Sequence, residues 1–330
     1  MILFICGKLV VLLYGRVCIE KMVKNMDKVI VTGANGYLGS SLIRQLVKNG
    51  TEVYAVVNQN TDNLESIGSS LIHIAKSIDD ECIKEQGKFA AVYHFAWSGN
   101  SGDKRGDISL QQSNINYACN ILIKAAELGC SKFIFAGSIM EDEAISSLKR
   151  QDIKPGLGNI YSASKLTADI YLKTLAAYYK IPYICLLISN IYGPGEKNPR
   201  LINTTLKKFI RGEETAFSEC TQSYDFIYID DAVRKFIEVG EKAEEGTFYI
   251  GNPKQRALKD FICIIGSICG KDPDNIGIGR LGKTNQIIDY SDIDTSRIER
   301  EFGLENKISF EKGITLTKKF IEGELVNGEH

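Results

Sequence analysis

Tyr161 and Lys165 stand four residues apart in the run Tyr161-Ser162-Ala163-Ser164-Lys165. On a helix this spacing projects both side chains from one face. An ammonium beside a phenol stabilises the phenolate and lowers the phenol's pKa from its ordinary value near ~10, making it an acid or base for a carbonyl or alcohol. Tyr-x-x-x-Lys alone is a common surface pair, so position decides. Upstream, Lys132–Gly137 reads as a strand that runs into Ser138. A hydroxyl at that point can hydrogen-bond the same substrate oxygen as Tyr161. Ser138, Tyr161 and Lys165 are therefore the candidate catalytic residues.

A second motif binds rather than reacts. In Val31-Thr32-Gly33-Ala34-Asn35-Gly36-Tyr37-Leu38-Gly39 the glycines fall at Gly33, Gly36 and Gly39, between an apolar strand and an amphipathic helix. Such a turn lets the backbone approach a pyrophosphate, and the free N–H groups of the helix start favour anions. Gly33, Asn35, Gly36, Tyr37, Leu38 and Gly39 are the expected cofactor contacts. In this arrangement a carboxylate at the end of the next strand reads the adenosine ribose. Here that end is Val56-Val57-Asn58-Gln59-Asn60, with no acid until Asp62. A 2′-phosphate meets no repulsion there, so NADP is preferred over NAD. Asn58 reads either as a ribose-phosphate contact or as a solvated turn residue.

The elements that must position these groups alternate. Expected strands are Lys28–Val31, Glu52–Val57, Leu71–Ala75, Ala90–Ala96, Lys132–Gly137, Tyr183–Ser189 and Gly246–Ile250. Expected helices between them are Tyr37–Asn49, Ser109–Leu128 and Tyr161–Tyr179. Several strands are apolar on both faces, as buried parallel strands are. The pattern predicts an α/β fold with a Rossmann doubly wound parallel sheet, whose ligands bind beyond the strands' carboxyl ends. Past Ser189 the rhythm loosens into helices near Leu201–Arg211, Asp230–Ala243, Leu258–Cys269 and Ile293–Phe302, the mark of a smaller, mainly helical C-terminal substrate lobe.

Composition narrows the partners. The 330 residues carry 40 basic and 41 acidic side chains, so no basic excess points to nucleic acid. Three histidines, His73, His94 and His330, are far apart, and nine cysteines include no Cys-x-x-Cys pair. A zinc site is a poor fit, and no metal is expected. The scattered cysteines read as reduced thiols, mostly small core residues, in a cytoplasmic protein. Met1–Gly15 is apolar but interrupted by Lys8 and short of the ~20 residues that span a bilayer, so no membrane partner is expected. The sequence Met26-Asp27-Lys28 suggests that residues 1–26 are an N-terminal extension outside the native protein.

Further motifs complete the picture: Tyr93-His94-Phe95-Ala96, Asn114 with Asn120 six residues on, Ser189-Asn190-Ile191-Tyr192-Gly193-Pro194, and Asp225-Phe226-Ile227-Tyr228-Ile229-Asp230-Asp231. With the glycine turn and the Ser138/Tyr161/Lys165 set, the chain from Lys28 onward resembles an extended short-chain dehydrogenase/reductase of the NAD(P)-dependent sugar-nucleotide epimerase/dehydratase family. The resemblance implies that Tyr161 donates or accepts the proton, Lys165 holds the nicotinamide ribose and tunes Tyr161, and Ser138 orients the reacting oxygen. Phe95 and Ala96 would line the cofactor, Asn114 would support the proton relay and Asn190 would face a nucleotide-sugar substrate. Trp97, Ile139, Met140 and Arg200 are the other expected substrate contacts. His94, inside an apolar strand, reads as a packed core residue, and Ser98–Asp107 as a candidate lid or an ordinary surface loop. Residues 27–190 would form the dinucleotide-binding domain, with 225–251 returning to it. Residues 191–224 and 252–330 would form the substrate lobe, and a homodimer would assemble through Ser109–Leu128 and Tyr161–Tyr179.

Departures from the family pattern narrow the chemistry. The 4,6-dehydratases carry Asp-Glu directly after the catalytic hydroxyl, where this chain has Ile139-Met140. Neither moves a proton. The epimerase-reductases use a Cys two residues after the serine together with a His, and Met140 takes the Cys place. Glu141 follows one position later and is a carboxylate that local geometry can redirect. What survives is stereospecific reduction of a 4-keto sugar nucleotide, with a 4-epimerase as the alternative and a non-catalytic dinucleotide sensor as the rival of another class. The usual diphosphate-binding arginines are replaced, with Tyr224 before the Asp-Phe-Ile run, leaving Arg200, Arg280 and Lys283 to supply charge.

Overall fold

The computed structural model describes residues 26–149, 154–282, 288–326 and 328, and the backbone alone of 2–5, 8–13 and 16–20. Those three N-terminal segments pair in sequence order as a separate antiparallel sheet. Seven other strands form the centre of the molecule: β1 (Lys28–Thr32), β2 (Glu52–Val56), β3 (Ile72–Ala75), β4 (Ala91–His94), β5 (Phe133–Ser138), β6 (Tyr183–Ile188) and β7 (Gly246–Ile250). Their order is β7-β6-β5-β4-β1-β2-β3, and every pairing is parallel. The direction of winding reverses between β1 and β4, and at that switch point the carboxyl ends open a crevice.

Alternation along the strands fills both faces. Val29, Val31, Val53, Ala55, Ile134 and Leu186 point to one side, where α1 (Tyr37–Lys48) and α6 (Ile229–Lys242) bring Leu42, Leu46 and Phe236. Ile30, Tyr54, Val92, Phe133, Phe135 and Cys185 point to the other, where α2 (Ile108–Glu127) and α4 (Asn159–Tyr179) bring Ile121, Leu122, Ala168 and Leu172. A strand buried on both faces has no polar alternation, which is why these runs read as continuous apolar sequence.

The expected elements are present with small shifts at their ends. The strand expected over Ala90–Ala96 stops at His94, so Phe95 to Trp97 form the loop at the crevice. The helix expected over Ile293–Phe302 starts only at Arg297, after a single 3-10 turn at Tyr290–Asp292. Two long helices were not anticipated, α3 (Met140–Lys149) and α8 (Phe310–Val326), nor were the single helical turns Asp62–Glu65 and Glu81–Lys84. Glu141, Asp142 and Glu143 crowd the first turn of α3, where negative charge complements the helix dipole. Between these lie α5 (Leu201–Arg211) and α7 (Leu258–Ile268), which with α8 build the second lobe. The seven described cysteines are free, but only Cys130, Cys185 and Cys220 are buried, fewer than expected for core residues. No helix among the described residues is long and apolar enough to cross a membrane.

One carboxylate joins the lobes. Asp231 is 2% exposed, and its oxygens accept the backbone N–H of Lys307 at 2.9 Å, that of Ile308 at 2.8 Å, and Arg234 Nη2 at 2.9 Å. This seats the segment leading into α8 against the start of α6. Asp231→Ala leaves these donors unpaired and is expected to cost about 2–3 kcal/mol. Urea unfolding would register this as a lowered midpoint, and an unchanged midpoint would remove Asp231 from this role.

Candidate active site

The glycine turn connects β1 to α1. Gly33 has φ +66°, and a Cβ there would lie 2.6 Å from Ala96 N and 2.7 Å from the Phe95 carbonyl carbon. At Gly39 a Cβ would meet the Gly33 carbonyl oxygen at 2.3 Å. Only glycine allows so close an approach. The turn closes through a hydrogen bond from Gly36 N to Gly33 O at 3.0 Å, and the first turn of α1 carries no acidic residue. The cradle and the free N–H groups beyond it fit a dinucleotide pyrophosphate. Asn35 does something the sequence did not suggest. Its side chain accepts from Asn63 N at 3.0 Å and donates to Asn60, latching the turn to the loop after β2. Asn58 is exposed in that loop. Leu38 packs partly buried against the core, and the Tyr37 hydroxyl is buried with no protein partner.

Beside the turn, His94 is buried. Its Nδ1 lies 2.8 Å from Thr32 Oγ1, and its ring stacks between Phe133 and Phe135. Burial, seconded by the Lys165 charge, pushes its pKa down to about 3, so the imidazole is neutral. It is the packed, hydrogen-bonded core residue that its setting predicts. Asn114, reaching from α2, accepts Ser98 N at 2.9 Å and donates to Ser98 O at 2.8 Å. It pins the chain just past Trp97, whose indole N–H donates to Gln111 at 2.8 Å.

The catalytic candidates converge at the end of β5. Ser138 is its last residue, and Tyr161 and Lys165 face it from α4. Lys165 is 4% exposed, donates to Ala136 O at 2.8 Å, and sits 3.8 Å from the Trp97 ring centre. Desolvation draws its pKa down to about 7, against the opposing pull of Glu141. Burial holds the Tyr161 phenol above its ordinary value, a rise that Ser138 and the charges of Arg200 and Arg105 only partly offset. The spacing pointed to Lys165 as the cation that lowers this phenol; here the phenol stays raised, and Arg200 and Arg105 are the cations that oppose the rise.

These groups open onto a cavity of about 240 Å³. Ser138, Ile139, Met140 and Tyr161 form one wall, and Asn190, Arg200 and Tyr224 the other. Asn190 donates to Asp225 O at 3.1 Å and accepts the Tyr224 hydroxyl at 3.2 Å, while Arg200 pairs with Glu196 at 3.3 Å. Trp97 is not on the lining. It lies behind, edge-on to Tyr161 at 6.2 Å, as a floor for Lys165 rather than the expected substrate contact. Arg280 is engaged elsewhere, with Thr215 O and Glu214, and Lys283 lies outside the described residues.

Two residues went unassigned in the sequence. Arg105 stands in the 3-10 turn Gly102–Gly106, and its guanidinium lies 4.8 Å from the Tyr161 ring centre, on the cavity wall. The signal was the Ser98–Asp107 loop itself, rich in charge beside the crevice. Thr317 reaches the cavity from α8, and nothing in its local sequence marks it.

The family profile described as "NAD dependent epimerase/dehydratase family" matches residues 29–251. CDP-abequose synthase of Salmonella muenchen is 25% identical over 295 residues, 87% of this chain and 95% of that one. UDP-glucose 4-epimerase of Mycolicibacterium smegmatis is 22% identical over 321 residues, 90% of this chain and 99% of that one. Among solved structures, UDP-glucuronic acid 4-epimerase from Bacillus cereus in complex with NAD superposes with a TM-score of 0.73 at 22% identity, covering 91% of this chain and 98% of that one. With its profile matching residues 29–251, a parallel sheet of seven strands and relatives aligned over most of their length, the chain belongs to the NAD dependent epimerase/dehydratase family.

Proposed function

We propose that the protein reduces a 4-keto sugar nucleotide stereospecifically, with Tyr161 protonating the alkoxide. The observation that carries this reading is the wall of the cavity around Ser138 and Tyr161. The two residues directly after the hydroxyl, Ile139 and Met140, line it with apolar atoms, and Glu141 is turned away behind Ser138. Elimination of water needs further acid and base groups at those positions; hydride transfer to a carbonyl needs one proton carrier. A bound nicotinamide dinucleotide supplies the hydride. Gly33, Gly36 and Gly39 would hold its pyrophosphate, and Phe95, Ala96 and Lys165 would border its nicotinamide half. Ser138 and Tyr161 would orient the substrate oxygen, and Tyr161 then gives up its phenolic proton to it. Arg105 and Arg200 would meet the substrate's negative charge, taking the place of the arginine that Tyr224 replaces. The exposed Asn58, uncharged at the end of β2, supports NADP over NAD.

A second reading is a 4-epimerase that keeps NAD bound. It is favoured by the named 4-epimerase among the relatives, whose length this chain matches almost completely. Both readings use the same Tyr161 chemistry, so cofactor turnover separates them. We place the enzyme in the cytoplasm, a reading supported by its free thiols, and as a homodimer. Ile108 and Tyr117 on α2 and Ile170, Tyr171 and Tyr178 on α4 are exposed apolar side chains on two helices that pack together. A second copy of the same pair is the cover that two-fold symmetry provides.

NADPH oxidation with 4-keto nucleotide sugars is the deciding assay, run beside NADH and beside UDP-sugar epimerisation. Reduction with NADPH preferred is expected. Epimerisation without net cofactor oxidation supports the second reading, and cofactor binding with no turnover on any carbonyl supports a sensor. Tyr161→Phe is expected to lower kcat by about 10²–10⁴ while NADPH still binds by fluorescence; undiminished turnover sinks the mechanism. Gly39→Ala drives a Cβ into the Gly33 carbonyl and should abolish NADPH binding, which the same fluorescence titration reads. Light scattering should give a dimer for the parent and a monomer for Ile170→Glu, and a monomeric parent refutes the assembly.

A further inference from the structure

Glu141 is a carboxylate in the protein interior, 5% exposed, and the reaction just described does not use it. Its Oε1 accepts the backbone N–H of Ser138 at 2.7 Å. Room for it exists because the neighbouring residue is glycine. A Cβ on Gly137 would stand 2.9 Å from Glu141 Oε1 and 2.6 Å from Cys185 Sγ. On the other side of the same bend, Lys165 Nζ donates to the Ala136 carbonyl at 2.8 Å. The segment Ala136-Gly137-Ser138 is thus held between the buried Lys165 side chain on a C=O and the buried Glu141 side chain on an N–H.

Both side chains are almost fully shielded from solvent. Lys165 is otherwise covered by the rings of Trp97 and Phe135, at 3.8 and 4.7 Å from their centres. Around Glu141 stand Ser138 from β5, Tyr161, Lys165 and Asp169 from α4, and Tyr183 and Cys185 from β6. Asp169 repels it and is itself engaged by the Tyr183 hydroxyl at 2.6 Å. Among these groups Lys165 is the one cation. Burial raises the Glu141 carboxyl to about 8 and lowers the Lys165 ammonium to about 7, and each group's charge opposes the other's shift.

We propose that Glu141 is a positioning residue for the reaction: its side chain fixes Ser138 through the Ser138 N–H and, with Lys165 on the Ala136 carbonyl, clamps the segment that presents Ser138 to Tyr161. The proposal rests on the reading of Ser138, Tyr161 and Lys165 as the reacting set. It explains why a carboxylate displaced from the cavity wall is nevertheless buried directly behind that set.

The test separates charge from shape. Glu141→Gln keeps an oxygen for the Ser138 N–H but removes the charge, whereas Glu141→Ala removes both. NMR titration of the ¹³Cε lysine signals reads Lys165 directly without substrate, its resonance being identified by its loss in Lys165→Met. In Glu141→Gln the Lys165 midpoint should fall by about one pH unit, because the anion that raises it is gone. In the same variant kcat should fall less than in Glu141→Ala, because the amide oxygen still accepts the Ser138 N–H. In Glu141→Ala kcat should also drop about ten- to a hundred-fold as Ser138 loses its anchor. An unchanged Lys165 midpoint in Glu141→Gln overturns the proposal, as does a parental kcat in Glu141→Ala. Absence of turnover in the parent enzyme counts against the proposed reaction alone, since the lysine titration is independent of it.

Discussion

The hydrogen bond from Lys165 to the Ala136 carbonyl is the contact on which the active end of this molecule depends. It crosses from a helix to the carboxyl end of a strand, and so fixes how α4 lies against β5. Tyr161, one turn earlier on the same helix, is thereby carried to Ser138. The bond is strong because it is dry: Trp97 and Phe135 exclude water from the ammonium, and a charged donor in such surroundings gains more from its acceptor. Trp97 in turn is held by Gln111, and the chain after it by Asn114. Removing any layer would loosen the one above it.

The same economy holds around β7. Asp225 is buried and its pKa is pushed up to about 6 by burial, but it receives Ser189 Oγ and Asn252 N as hydrogen-bond donors. Lys235, also buried, reaches the Gly251 carbonyl at 2.9 Å. These groups sit where the chain returns to the sheet before and after β7. Buried charge is therefore concentrated at the junctions between elements, where polar backbone groups would otherwise be left without partners.

Much of this was legible beforehand. The apolar runs of β1, β2, β5 and β6 are recognisable because strands buried on both faces have no polar interruptions, and the glycine turn because its backbone tolerates no side chain. Ser138, Tyr161 and Lys165 were found because local spacing and position after a strand suffice to bring them together. What escaped is non-local. Arg105 reaches Tyr161 only through the fold of its loop, Thr317 arrives from a helix more than a hundred residues beyond Tyr161, and the latch from Asn35 to Asn60 and Asn63 needs two loops at once. Helix α3 was missed because its apolar face is short and its first turn is acidic, a pattern that reads as a loop until the dipole is considered.

Thr317 and the Asp231 clasp also bear on how the protein comes into being. Synthesis runs from the amino end, and domains close as they emerge from the ribosome. The glycine turn and the Ser138/Tyr161/Lys165 set are complete in the first half of the chain, but β7, the edge of the sheet, follows at residues 246–250. The cavity wall waits for Thr317, and α8 is seated by Lys307 and Ile308 binding to an aspartate made long before. A nascent chain therefore carries its candidate reacting groups for much of translation with no enclosed pocket around them, and the cavity takes its shape only once Thr317 has emerged.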